Sequence, residues 1–480
     1  MPMTAESQAG VLAWSSGLAI GMGVLAATLP ESTGQMGIVA AILVLATACF
    51  SPVVLLRVSR VSPAFIYGLA TFLLIGLGSI AWLGTPALGT PGLNQRSIAG
   101  AVLTLAAGIA VFWVGYLIVR PPTEVPPERP LPIAPIWIVS ALFIGGLAAS
   151  GVLIATGRFG YQAIFAGPSD LSWWQQWVQT ATGLTGIAII MAGLHAFGNG
   201  SRSHRRALLI MVLLSLGLGF LAGYKAAVLA PLATTLFVYY FYRRRLPWKV
   251  VFVTGLVPFI LVPANLAYRS TITSGSGSST TLFGAAVDMS LEERIAATFQ
   301  WAAERRVIDS IAQVKRLTPS PHPFLGAAAY AQIPAITLIP RVLWPGKPTE
   351  NEAIVFGRVY FGAGSGSVNS YAITNIGDLY LHAGSFGVVV GMLVWGAFVG
   401  IGFRWLWRRQ SPSALIVYVV ALFRMAQVEV TFTSLISEAF RAVVFAWLVG
   451  RLIYGPMPRL HPVSGDRASW RAGGYGLHRG

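Results

Sequence analysis

Apolar runs of about twenty residues recur along this chain from one end to the other, and no other feature restricts its fold as strongly. Crossing the hydrocarbon core takes about 20 mainly apolar residues, with every backbone N–H and C=O bonded inside the segment. The runs therefore predict an all-α, polytopic integral membrane protein with about 12 transmembrane helices. Candidate helices fall near 10–29, 36–56, 64–84, 98–119, 136–156, 175–197, 207–223, 226–242, 250–268, 380–403, 413–431 and 436–454. Pro52 is expected to kink or end the second of them. Composition agrees, with 10% charged residues against about 25% in a soluble domain. No stretch remains that could form a separate soluble module. The first run, near Val11–Leu29, lacks a basic leading segment and a convincing cleavage site, so it reads as a retained helix.

The formal charge of +17 would suit nucleic acid, but the placement of the basic residues argues for topology instead. Loops after even-numbered spans, with the C-terminal tail, hold 19 Lys and Arg, while short loops after odd-numbered spans hold 3, Arg96, Arg158 and Lys225. The positive-inside rule then puts both termini in the cytoplasm and the one long loop outside. The chain divides into an N-terminal bundle of about nine helices (1–268), an extracytoplasmic loop (269–379), C-terminal helices (380–454) and a basic, disorder-prone tail (455–480). Trp173, Trp174, Trp177, Trp405 and Trp407 fall where interfacial aromatic belts belong. Pro121–Pro127 reads as a stiff cytoplasmic linker. The lone Cys49 has neither a disulfide partner nor a second metal ligand near it in sequence. Halves related by an internal repeat, as in many transporters, are not evident.

Chemistry is expected in the outer loop. Leu291–Arg316 carries apolar residues at helical spacing opposite Glu292, Glu293, Arg305, Asp309, Lys315 and Arg316, which predicts an amphipathic helix lying on the membrane or capping the bundle, with its charges solvated. Next comes Ile339-Pro340-Arg341-Val342-Leu343-Trp344-Pro345-Gly346-Lys347-Pro348-Thr349-Glu350-Asn351-Glu352. Its prolines stiffen the backbone, and Arg341 and Lys347 offer two cations of the kind that bind phosphate, with Glu350 and Glu352 close by. Gly362–Ser367 is a lid or a connector, and it leads to Asn369, Thr374, Asn375 and Asp378. Tyr380, His382, Gly384 and Gly387 then open the next helix, where the glycines allow close packing.

Lys225, Arg424, Glu429, Glu438 and Arg441 lie at or within spans, where charges usually face a partner or a cavity. Glu438 and Arg441 are spaced to pair on one helix, and Arg424 is expected to snorkel to the inner surface or to reach Glu429. The chain has no Asp-x-Asp and no His-Glu-x-x-His, and its six histidines do not cluster. Gly364-Ser365-Gly366 lacks the preceding strand of a nucleophile elbow. No metal and no cofactor are expected.

Ile339-Pro340-Arg341 with Trp344-Pro345 and Lys347-Pro348, then Gly377-Asp378-Leu379-Tyr380 and Gly384–Gly387, resemble the Wzy-type oligosaccharide repeat-unit polymerases of O-antigen and exopolysaccharide synthesis. The plan of many spans with one long outer loop resembles them too. The resemblance implies a bacterial inner-membrane glycosyltransferase that moves a glycan from undecaprenyl diphosphate onto another lipid-linked repeat unit at the periplasmic face. It also implies undecaprenyl diphosphate-linked oligosaccharides, the bilayer and a chain-length regulator as partners, with no nucleic acid. Arg341 is the position matching a family arginine, with Lys347 beside it; the Arg-x10-Gly pattern of some members is absent, leaving Arg269, Arg305 and Lys225 as candidates for a second cation. Glu350, Glu352 and Asp378 are the candidate general bases. An O-antigen ligase shares this chemistry, and a lipid or polysaccharide transporter or a scaffold are the rivals from other classes.

Overall fold

The chain was analysed as a computed structural model, which describes residues 17, 34–56, 62–84, 92–121, 134–160, 173–198, 200–223, 225–243, 290, 292–293, 307–339, 343–344, 352–363, 371–409 and 411–455. The described residues are helical, with no strand among them. In chain order the helices are α1 (Gln35–Leu56), α2 (Pro63–Thr71), α3 (Gln95–Ile118), α4 (Ile136–Ala155), α5 (Trp173–Gly193), α6 (Arg202–Leu221) and α7 (Lys225–Arg243). The segment expected on the outside, called the outer segment for that expectation, gives α8 (Val307–Leu317), α9 (Ile333–Leu338) and α10 (Glu352–Phe361), and α11 (Asn375–Arg409), α12 (Pro412–Met425) and α13 (Phe432–Tyr454) close the bundle.

The starts of several helices follow from single polar residues set before an apolar run. Ser62, Asn94, Ser411 and Thr431 each accept a hydrogen bond from an amide in the first turn that follows, and Pro63 and Pro412 occupy positions where no amide donor is needed. Pro52 does not end its helix: α1 runs on to Leu56, so of the expected kink or end the end is corrected. Its ring takes the amide partner from the Ala48 carbonyl, one hydrogen bond that the rest of the helix carries. α2 continues through a π turn at Phe72–Gly76 and a 3-10 turn at Leu77–Ile80.

Among the described residues, eight helices are long and apolar enough to cross a membrane, and Ala227–Phe241 and Pro412–Met425 are shorter apolar helices. The protein is accordingly a helical membrane protein. Two predicted spans, near 250–268 and, Gly17 apart, near 10–29, lie outside the described residues. The eleventh predicted span is shorter than expected, because α12 stops at Met425 and residues 426–431 turn back into α13.

α3 is the central post, with Ile98, Val102, Leu105, Ile109, Phe112 and Tyr116 all inaccessible. Small residues let α11 lie directly on it. A Cβ at Gly115 would come within 2.1 Å of the Leu393 carbonyl, and one at Gly396 within 2.0 Å of the Phe112 carbonyl. Without a hydrophobic drive between helices in lipid, such close backbone approach is what holds a membrane helix pair together. A second apolar core joins α4, α5, α6, α7, α12 and α13.

Of the two placements expected for the amphipathic stretch the structure has the cap on the bundle, while its charges depart from the solvated face expected of them. Its described part, α8, buries Val307, Ile308, Ile311 and Val314 against the bundle, so it is a packed element rather than a helix lying on a surface. Asp309, expected on a solvated face, is buried and accepts a hydrogen bond from Trp82 Nε1 at 2.8 Å. The final helix region opens earlier than the predicted 380, at Asn375, which moves Asp378 from the loop into the first turn of α11.

Candidate functional site

α11 is broken near its start. Ala383 (φ −150°, ψ 24°) and Gly384 (φ 62°) leave helical geometry, and only glycine adopts the second of these without strain. The break removes the usual amide partners of the Leu381 and His382 carbonyls. The amides of Leu325 and Gly326 replace them, at 3.2 and 3.0 Å, and the Phe324 ring lies 3.0 Å from where a Gly384 Cβ would stand. A broken helix inside a membrane bundle is tolerated where other protein groups satisfy its backbone in this way. The break is thus a docking point for the outer segment.

Beneath it lies Asp378, which is wholly buried. Its Oδ2 accepts from the Phe432 amide at 2.9 Å and from the Tyr330 hydroxyl at 3.3 Å. Phe432 is the first residue of α13, so the carboxylate faces a helix N-terminus, where the aligned peptide dipoles favour negative charge. Asp378 Oδ1 carries no hydrogen bond among the described residues; His382 Nδ1 stands 3.5 Å away and spends its bonding on the Asp378 carbonyl (2.9 Å) and the Tyr330 hydroxyl (3.0 Å). Tyr330 stacks obliquely on His382, with ring centroids 4.4 Å apart. Asp378 and His382 meet because they are four apart on one helix. Thr374 precedes them with φ 65°, a backbone rarely held by a β-branched residue, and its hydroxyl accepts from Gly377 N at 2.9 Å. One carboxylate therefore joins α11, α13 and the outer segment.

A second polar cluster lies between α12 and α13. Arg424 Nη1 donates to Glu438 Oε2 at 2.7 Å, with both side chains 35% exposed. Among the described residues the carboxylate paired with Arg424 is Glu438 rather than the expected Glu429: the turn after Met425 brings α13 back alongside α12 and presents Glu438 to it. The Gln427 amide bridges the pair, its oxygen 3.2 Å from Arg424 Nη1 and its nitrogen 3.3 Å from Glu438 Oε2. Beside Glu438, Ser437 bonds Thr337 of α9 at 2.8 Å.

These contacts bear on the cation-bearing stretch Arg341–Glu352. The helix before it, α9, is fastened to α13 by Thr337–Ser437. The helix after it, α10, is fastened to α8, where Gln313 Nε2 donates to the Tyr360 carbonyl at 2.7 Å. The Tyr360 hydroxyl adds a 3.0 Å hydrogen bond to Thr318. Glu352 opens α10 and Lys225 opens α7, but their side chains lie outside the described residues, as do Arg341, Lys347, Glu350, Arg269 and Arg305 altogether. Of the expected site residues, Asp378 alone has a described side chain. No group of three or more His, Cys, Asp or Glu suited to a metal occurs among the described residues.

Lys315 also departs from expectation. Instead of pointing to water, its ammonium donates to the Gly100 carbonyl at 3.0 Å and to Thr104 Oγ1 at 2.7 Å on α3. Burial among neutral oxygens pushes its pKa down to about 8. Tyr330 is the residue that sequence reasoning missed. It sits in an apolar stretch with no motif around it, and only the fold brings it to Asp378 and His382.

A broken-helix membrane bundle with an outer segment clamped to it is the class these features define. A family model described as Domain of unknown function (DUF8712) matches residues 135–405, more than half of the chain, and the protein belongs to that family. The match runs from the start of α4 through most of α11, taking in the outer segment and Asp378. Comparison with curated proteins and with solved structures finds no match to either.

Proposed function

We propose that this protein is a membrane-embedded polymerase of lipid-linked oligosaccharide repeat units. In this reading it has 12 spans, sits in a bacterial inner membrane and keeps both termini in the cytoplasm. A sugar hydroxyl of one lipid-linked unit attacks the anomeric carbon of a glycan carried on undecaprenyl diphosphate. The new glycosidic bond forms as the bond to the diphosphate oxygen breaks, the diphosphate leaves with the electron pair, and a carboxylate takes the hydroxyl proton. Charge developing on the diphosphate needs fixed cations, which Arg341 and Lys347 supply.

The observation that carries the reading is the fastening of both ends of the Arg341–Glu352 stretch, through α9 and α10, to the bundle. A transferase that holds a lipid diphosphate at a membrane face needs its cations on such a support. Asp378 is wholly buried and already bonded to Phe432 and Tyr330, which suits a positioning residue. Glu350 and Glu352 then remain as the bases.

The test is complementation of a deletion strain. Wild type should restore long polymer, and Arg341→Ala and Lys347→Ala should leave single repeat units attached at normal protein levels. A deletion that leaves no unit attached at all would identify the ligase instead. Wild-type chain lengths in both variants would remove these residues from the site.

A further inference from the structure

Arg341 and Lys347, two cations from one short stretch, leave much of a diphosphate's charge uncovered, and the ion pair between α12 and α13 offers a further cation. Glu438 lies six residues inside α13, about 9 Å along its axis from Phe432. Arg424 occupies the last turn of α12. Charges at this depth are costly when they face lipid, so a pair that keeps 35% of each side chain exposed requires a polar surrounding on its open side. Thr337 of α9 bonds Ser437, the neighbour of Glu438, so the outer segment lies over this part of α13.

The contact itself is a single one. Arg424 reaches Glu438 through Nη1, at 2.7 Å, and the same nitrogen meets the Gln427 amide oxygen. A guanidinium carries five donors in a planar fork that fits two phosphate oxygens at once, so most of this fork is unused by Glu438 and Gln427. Gln427 stays with Arg424 if the carboxylate lets go. The arrangement is a cation held in place by a carboxylate that an anionic ligand can outcompete.

We infer that Arg424 forms a second diphosphate-binding cationic site beside Arg341 and Lys347, that Glu438 occupies it until the ligand arrives, and that Gln427 keeps it oriented during the exchange. The inference rests on the reading of the protein as a transferase of diphosphate-linked glycans, whose second cation sequence alone sought among Arg269, Arg305 and Lys225.

The two partners of an exchangeable pair must respond in opposite directions. Binding of geranylgeranyl diphosphate to the full-length protein in lipid nanodiscs should weaken roughly tenfold or more in Arg424→Ala, the loss of a charge-assisted contact. Arg424→Lys, which keeps the charge and loses the fork, should fall between. Glu438→Gln removes the competitor and should tighten binding several-fold. A structural ion pair would instead lower thermal stability in both variants and leave the affinity for the probe at its wild-type value, and that outcome overturns the inference. Should Arg424→Ala fail to insert, Glu438→Gln still decides, since no gain in affinity contradicts the exchange. Loss of binding in Arg341→Ala with none in the Arg424 and Glu438 variants would refute the inference and keep the functional reading. An absence of saturable binding by wild type would take both down.

Discussion

Lys315 and Asp378 show how burial turns ordinary charged residues into constraints. Lys315 titrates in the fold near 8 rather than at its ordinary 10.5, because it has left water for two neutral oxygens. Between those values the unfolded chain binds more protons than the folded one, so stability rises with pH from about 8 to 10.5. The penalty for burying the ammonium is present in full below that window. Thermal unfolding of the solubilised protein should follow this slope, and Lys315→Met should flatten it; an unchanged slope would show that the amine is not buried as described. At Asp378, replacement by Ala strands the Phe432 amide and the Tyr330 hydroxyl and should cost about 1–3 kcal/mol, and Asn, which keeps an acceptor, should recover part of that. A thermal shift assay on the two variants checks the order. The sequence singled out both Asp378 and His382 but set the first in a loop, so their one-turn pairing emerges only because α11 opens at Asn375. It could not show Tyr330, which lies 48 residues from Asp378 and meets it only in the fold.

Among the elements, the α3–α11 pair and the break in α11 carry the architecture. Gly115 and Gly396 stand at points where a Cβ would meet backbone, which cannot move aside as a side chain can. Gly115→Leu should therefore separate the helices and lower stability by more than about 3 kcal/mol, whereas Gly151→Leu, with nothing within 4 Å of its Cβ position, should be far milder. Comparable melting temperatures for the two would contradict the packing. Helix positions were legible from apolar runs, since length and hydropathy set them locally. The break at Ala383–Gly384 was not, and those glycines were read as packing residues. Whether a glycine bends a helix depends on who satisfies the freed carbonyls, here Leu325 and Gly326. The burial of the α8 charges was hidden for a similar reason: they look solvated until Trp82 and α3 supply partners for Asp309 and Lys315.

For the whole molecule, charge distribution supports the proposed orientation and the clamped segment supports the proposed function. The orientation is open to labelling, because Cys49 is the single cysteine and is buried. In a Cys49→Ser background, Ser201→Cys should react with a membrane-impermeant maleimide only after the cells are opened, and Ser290→Cys should react in spheroplasts. The reverse pattern would invert the bundle and remove Arg341 from the outer face. Polymerase activity is measured most directly with purified protein in vesicles supplied with undecaprenyl diphosphate-linked repeat units. The product should be a ladder of longer lipid-linked glycans with release of undecaprenyl diphosphate, and Arg341→Ala should leave only the starting unit. A wild-type preparation that binds these lipids yet never lengthens the glycan would show that the protein is not a polymerase.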